Sequence, residues 1–300
     1  WSHNNAEWVL MQLATAKAGL VLVNINPAYR TAEVEYALNK VDCKALVTMP
    51  RFKTSDYIGM LRELAPEWAH AKAGEPLESQ TLPHLKHAIW IDVAGEGADE
   101  PGFMRFSDLI QRGDPADERV ARIARLLHPR DPINVQFTSG TTGFPKGATL
   151  THRNILNNGF FIGEAMKLTH EDRLCIPVPL YHCFGMVLGN LAVLTHGGCI
   201  VYPNDAFDPL TVLQTVQAEK CTGLHGVPTM FIAELDHPDF AKYDLSTLRT
   251  GIMAGSPCPI EVMKRVQRDM NMAEVTIAYG MTETSPVSCQ RSTDTQLDKR

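Results

Sequence analysis

The chain has 300 residues and a formal net charge of −6, so the basic surplus of a nucleic-acid binder is missing. With 44 % hydrophobic and 21 % charged residues it has the make-up of a globular protein with a sizeable core, and no run of roughly 18 apolar residues predicts a transmembrane segment. Seven cysteines without a CxxC pair argue against a zinc knuckle or a redox dithiol and predict buried thiols in a reducing compartment.

Residues 5–18 carry Trp8, Met11, Leu13 and Ala16 near helical spacing, and Gly19 closes that helix. Leu20 to Ile25 reads as a strand ended by Pro27. Thr31 is expected to cap a helix over Ala32 to Val41, with Glu33 and Glu35 in its first turn. Ala45 to Thr48 reads as a strand. Residues 66–84, which hold Pro66, Pro76 and Pro83, read as an exposed loop. Ile89 to Val93 reads as a strand, 94–102 as a surface turn, and Asp117 to Leu127 as an amphipathic helix.

From Asp131 the alternation is cleaner. Strands are predicted at Ile133 to Thr138, Leu174 to Val178, Cys199 to Tyr202, Thr222 to His225, Thr250 to Ala254 and Val275 to Ala278. Helices are predicted at Thr151 to Met166, Phe184 to Leu194, Pro209 to Glu219, Thr229 to Leu235 and Ile260 to Met270. This order predicts an α/β fold in which parallel or mixed sheets are flanked by helices. Open α/β sheets bind ligands beyond the carboxyl ends of their strands. The unusual segments 138–147, 179–185, 255–259 and 279–283 fall at such places.

The most informative segment is Thr138-Ser139-Gly140-Thr141-Thr142-Gly143-Phe144-Pro145-Lys146-Gly147. Its three glycines permit tight turns and close backbone approach, its hydroxyls and N–H groups can meet anionic oxygens, and Lys146 adds a positive charge. A Walker A loop would need Gly before the lysine and Ser or Thr after it, where Pro145 and Gly147 stand. A plain surface hairpin is the bland alternative. Cys183 beside His182 invites a Cys–His nucleophile, which adjacent residues on one turn are not expected to form.

Ser139 to Gly147 resembles the signature loop of the adenylate-forming superfamily, which includes acyl-CoA synthetases, peptide-synthetase adenylation domains and firefly luciferase. Tyr279-Gly280-Met281-Thr282-Glu283 resembles its second signature, although alone it could be a helix N-cap. Gly255-Ser256-Pro257-Cys258-Pro259 resembles the family's adenine-binding turn, and Pro259 also suits a first helical turn. Pro179-Leu180-Tyr181-His182-Cys183-Phe184-Gly185 resembles the segment bordering the acyl carboxylate, although a lone histidine there is more often a packed core residue. Gly226-Val227-Pro228-Thr229 resembles a segment near the acyl pocket and is equally a strand-to-helix turn. The likeness extends over the whole chain and is greatest to medium-chain fatty acid–CoA ligases.

The resemblance implies a large N-terminal adenylation domain with subdomains over roughly 1–130 and 131–300, in a piece of a longer protein. The family's ribose-binding aspartate, hinge and small C-terminal domain with its catalytic lysine are then expected beyond Arg300, and the piece alone is expected to be weak or inactive. It implies ATP, Mg²⁺ and coenzyme A acting on a small-molecule carboxylic acid. Thr138 to Lys146 would grip the β- and γ-phosphates, Thr282 the α-phosphate, and Glu283 the metal. Gly255, Ser256, Pro257, Tyr279 and Gly280 would wall the adenine, and His182, Phe184 and Val227 would border the acyl group. The implied reaction makes acyl-AMP and then acyl-CoA. A ligase for aromatic or short-chain acids, a P-loop ATPase, and a module that only binds nucleotide or acyl groups are the competing readings. The compartment implied is the bacterial cytoplasm, or the mitochondrial matrix in a eukaryote. Nothing in the sequence specifies an oligomeric state.

Overall fold

The computed structural model describes residues 1–92, 99–138 and 145–294. It divides into two compact units: Trp1–His3, Leu10–Leu127 and Val135–Gly147 form the first, and Asn4–Val9, His128–Asn134 and Ala148–Arg300 the second. Elements in chain order begin with α1 (Ala6–Ala18), β1 (Leu22–Asn24), α2 (Thr31–Lys40), β2 (Ala45–Thr48), β3 (Arg51–Phe52), β4 (Ser55–Asp56), α3 (Tyr57–Leu64), β5 (His87–Trp90), β6 (Phe103–Arg105), α4 (Phe106–Gln111) and α5 (Glu118–Leu126). Strands β7 (Pro132–Thr138) and β8 (Lys146–Thr151) join β1 in the order β1-β7-β8.

In the first unit β2, β5 and β6 make a parallel sheet, with Ala45 opposite His87 and Ala88 opposite Phe103. Its core gathers Leu38 of α2, Tyr57 and Leu61 of α3, and Phe103. One reading of this region is corrected and one is refined. Thr31 lies inside α2, whose N-cap is Arg30, and the Glu33 carboxylate accepts the Arg30 N–H at 2.8 Å. The segment 66–84 is irregular and mostly exposed, as expected, but Pro66–Ala69 forms a turn of 3₁₀ helix, and Trp68, Leu77 and Leu82 are buried in the core. Three prolines disrupt regular structure there without removing the apolar anchors.

The second unit continues with α6 (His152–Ala165), β9 (Arg173–Cys175), a π-helix (Phe184–Leu191) running into α7 (Ala192–Leu194), β10 (Cys199–Val201), α8 (Pro209–Glu219), β11 (Gly223–Leu224), α9 (Pro228–Leu235), β12 (Thr250–Met253), α10 (Ile260–Asp269), β13 (Glu274–Gly280) and β14 (Val287–Gln290). Its six-stranded sheet has the order β10-β9-β11-β12-β13-β14. All neighbours are parallel except β14, which pairs antiparallel with the far end of β13. Helices α8, α9 and α10 cover one face through Val212, Val216, Phe231, Met263 and Val266. Asp208 caps α8 by accepting the Thr211 N–H at 2.8 Å, and Pro209 fills the first position, where an N–H would have no partner.

The entry end of this sheet is clamped by ions. Arg249, just before β12, meets Asp172 and Glu274, each at 2.7 Å. Burial resists ionisation of Asp172, but the Thr222 hydroxyl and the Arg249 guanidinium together hold its carboxyl below the usual range. The run Phe184 to Leu194 is a π-helix for its first eight residues, all of them buried. A segment apolar on every side carries no amphipathic period, so its widened turn leaves no trace in the sequence. No helix among the described residues is long and apolar enough to cross a membrane.

Candidate active site

Four segments leave the carboxyl ends of β9, β11, β12 and β13, which are consecutive strands in the sheet. Parallel pairing therefore delivers all of them to one edge. Cys175 pairs with Leu224 and Met253 with Ile277, so residues 179–184, 225–227, 255–257 and 281–283 begin within a few residues of a common level. Gly226 also bridges Met253, and its N–H donates to the Ile252 carbonyl at 3.1 Å.

The segment from β9 forms a mostly buried wall. Cys183 and Phe184 are 4 % and 6 % exposed. The Nδ1 atom of His182 accepts the Phe184 N–H at 3.1 Å, which leaves the proton of the neutral ring on Nε2. The residue surface of His182 reaches solvent, but the protein packed around its ring lowers its pKa below the ordinary value. Contrary to the expectation that neighbours on one turn do not meet, Cys183 Sγ lies 3.6 Å from His182 Nδ1. The turn entering the π-helix folds the imidazole back over its own backbone. This does not make a catalytic thiolate: burial is the main cause that pushes the Cys183 thiol up to about 11.

His225, which the motifs do not single out, is fully buried behind this wall. Its Nε2 donates to the Leu188 carbonyl of the π-helix at 3.0 Å, and its Nδ1 accepts the Ile252 N–H of β12 at 3.2 Å. Its ring lies 5.5 Å from that of Phe184. Burial takes its pKa down to about 4, so the ring is a neutral bracket between three segments. The signal available was its position between β11 and Gly226-Val227-Pro228, one residue ahead of the motif.

The segments from β12 and β13 form an exposed ledge. Gly255 has φ +91°, a left-handed conformation, and a Cβ there would stand 3.1 Å from Val227 Cγ1. Ser256 and Pro257 are exposed on the same turn. Tyr279 and Gly280 are not loop residues but the last two of β13, where Tyr279 pairs with Cys289 of β14. Pairing with β14 prolongs the strand beyond its parallel partner. At Gly280 a Cβ would lie 1.9 Å from the Pro286 carbonyl oxygen, so only glycine fits. Tyr279 is 71 % exposed, whereas Thr282 opens a short 3₁₀ helix and is 7 % exposed. Wall and ledge meet where Cys183 Sγ lies 3.7 Å from Thr282 Oγ1. Glu283 is exposed beside them.

The remaining candidates belong to the first unit. Thr138 ends β7, Pro145 follows, and Lys146 begins β8 with its side chain exposed. The Thr138 hydroxyl donates to the Lys146 carbonyl at 3.4 Å. Ser139, Gly140, Thr141, Thr142, Gly143 and Phe144 lie outside the described residues. No group of three or more His, Cys, Asp or Glu among the described residues is arranged to hold a metal ion. Glu283 offers a single exposed carboxylate, which suits a hard cation that completes its shell with ligand oxygens and water.

The AMP-binding enzyme family matches residues 1–300. The chain is 48 % identical to YngI of Bacillus subtilis (strain 168) over 307 residues, covering 100 % of this chain and 54 % of that protein. It is 46 % identical to the medium-chain acyl-CoA ligase ACSF2, mitochondrial, of Danio rerio over 291 residues, covering 96 % of this chain and 47 % of that protein. The chain thus spans about half the length of the curated relatives it matches. In fold it is similar to the crystal structure of the anthranilate CoA ligase AuaEII in complex with anthranoyl-AMP, with a TM-score of 0.83 at 24 % identity over 98 % of this chain and 52 % of that one. A family match along the whole chain, with the α/β sheet and its edge of converging segments, makes this protein a member of the AMP-binding enzyme family.

Proposed function

We propose that the protein of which these residues form the adenylation region activates a medium-chain fatty acid with ATP, giving acyl-AMP and then acyl-CoA. The observation that carries this reading is the meeting of wall and ledge: Cys183 of the apolar segment touches Thr282 of the second signature. A ligand with an apolar tail and a phosphoryl head would find both surfaces at one place. Likeness to a medium-chain acyl-CoA ligase at 46 % identity supports the substrate class.

A carboxylate is a poor acyl donor because oxide leaves badly. In the first step a carboxylate oxygen attacks the α-phosphorus of ATP, the bond to the bridging oxygen breaks, and pyrophosphate departs. In the second the thiolate sulfur of coenzyme A attacks the acyl carbon and AMP leaves. The protein's share is positioning and charge stabilisation. Thr282 would donate its hydroxyl hydrogen to the α-phosphoryl group. His182, neutral with its proton on Nε2, would orient the carboxylate without trapping it in an ion pair. Phe184 and Val227 would border the acyl chain, and Tyr279 would stack on adenine beside Gly255, Ser256, Pro257 and Gly280. Thr138, Pro145, Lys146 and the segment from Ser139 to Phe144 would steady the departing pyrophosphate. Glu283 would hold a magnesium ion, which when bound neutralises phosphate charge. The remaining domain, with a lysine for the first step, would belong to the longer protein, in a bacterial cytoplasm or a mitochondrial matrix.

The test is hydroxylamine trapping of acyl-AMP, with pyrophosphate release, by the full-length protein across C4 to C16 fatty acids and benzoate. Acid-dependent pyrophosphate and hydroxamate peaking at middle chain lengths are expected. ADP and phosphate formed without any acid would overturn the reading.

A further inference from the structure

We propose that Cys183 is a positioning residue: its S–H donates to Thr282 Oγ1 and so turns the threonine's own hydroxyl hydrogen toward the ligand. The inference rests on the adenylation reading and deepens it. A threonine hydroxyl has one hydrogen to give and two lone pairs to accept with. Among the described residues, Cys183 Sγ, at 3.7 Å, is the hydrogen-bond partner of Thr282 Oγ1. Cys183 and Thr282 are both buried, at 4 % and 7 % exposure, so water does not compete freely for either group. With the hydroxyl left to rotate, its hydrogen would spend part of its time pointing away from the phosphoryl oxygen it must meet.

Three neighbours decide which way the S–H points. His182 Nδ1, 3.6 Å from the sulfur, already accepts the Phe184 N–H, so its lone pair is engaged. His182 Nε2 lies 3.9 Å from the sulfur and carries the ring's proton, so it has no lone pair with which to accept the S–H. That leaves Thr282 Oγ1 as the acceptor. Burial, and less strongly the nearby charge of Glu283, keep the thiol protonated, so the donor persists at neutral pH. The order His182, Cys183, Thr282 thus passes orientation from the acyl side to the nucleotide side. No bond is made or broken at sulfur.

The experiment uses the full-length protein and measures acid-dependent pyrophosphate release, kcat and KM for ATP and acid, and thermal unfolding. In Cys183→Ala, kcat for adenylation is expected to fall about tenfold, the scale of one lost hydrogen bond, with both KM values within about twofold and unfolding little changed. Cys183→Ser, which restores a donor on a shorter bond, should recover part of the loss. In a Thr282→Val background Cys183→Ala should add nothing, because the hydroxyl it orients is gone. A Cys183→Ala enzyme with wild-type kcat, or one that loses as much again in the Thr282→Val background, would overturn the proposal and leave the reading intact. A wild-type protein that forms no acyl-AMP from any acid would overturn the reading and the proposal together.

Discussion

The wall and the ledge solve opposite problems. The wall from Cys183 to Leu191, backed by His225, is buried and holds its polar groups in neutral, fully paired states. The ledge around Tyr279, Met281 and Glu283 is exposed, and its order comes from backbone packing, with Gly280 pressed against Pro286. An apolar ligand needs a site with no unpaired charge, since burying one is expensive. A polyphosphate needs charged groups that stay hydrated until it arrives. The difference teaches that the two halves of a mixed ligand can be met by one sheet edge whose neighbouring strands are finished differently.

The largest expected effect breaks the ledge's framework. In Gly280→Ala the new carbon would sit 1.9 Å from the Pro286 oxygen. The backbone would have to part, at about 3 kcal/mol or more, and adenylation should be lost; urea unfolding and pyrophosphate release measure both. Glu283→Gln sharpens the contrast by removing charge from the exposed surface. Adenylate formation should drop about 100-fold while ATP affinity changes only a few-fold, as single-turnover kinetics and equilibrium binding would resolve. Equal losses in both would mean that the carboxylate serves binding alone.

The wall's weakness is acid. His225 stays neutral in the folded protein down to about 4, whereas the unfolded ring takes its proton near the ordinary value of 6.5. Its contribution is therefore present above that ordinary value and is lost as pH falls toward the folded one. Between pH 7.5 and 5 this should cost about 2 kcal/mol, and His225→Gln should flatten that slope in urea titrations. The smallest effect returns to the ledge. Tyr279→Ala should weaken ATP binding about five- to tenfold, the scale of one stacked base, and barely move the unfolding temperature because the ring is 71 % exposed.

Much of the second unit was legible because its elements carry their own boundaries. Helix α8 matches Pro209 to Glu219 at both ends, where Asp208 caps it and Lys220 turns left-handed to stop it. Strands β8 and β14 escaped because they lack an alternating apolar face; β8 buries only Leu150. Helix α3 did leave a signal, since Asp56 caps it and Tyr57, Ile58, Leu61 and Leu64 share a face. The candidate motifs could be read from residue types and family likeness, but the Cys183–Thr282 contact could not. It joins residues 99 positions apart, and pairing of that kind is written in strand order rather than in local sequence. The expectation of buried thiols holds at Cys175, Cys183 and Cys221, is met only in part at Cys43, Cys199 and Cys258, and fails at Cys289, which is exposed on the edge strand β14.

That edge strand makes the protein a natural carrier of a reporter. Cys289 pairs directly across from Tyr279, and both side chains are open to solvent. Cys175, Cys183 and Cys221 are buried, and Cys43, Cys199 and Cys258 are partly covered. A thiol-reactive fluorophore should therefore prefer Cys289 and sit one cross-strand spacing from the ring proposed to stack on adenine, so that its emission would follow nucleotide arrival and departure in real time.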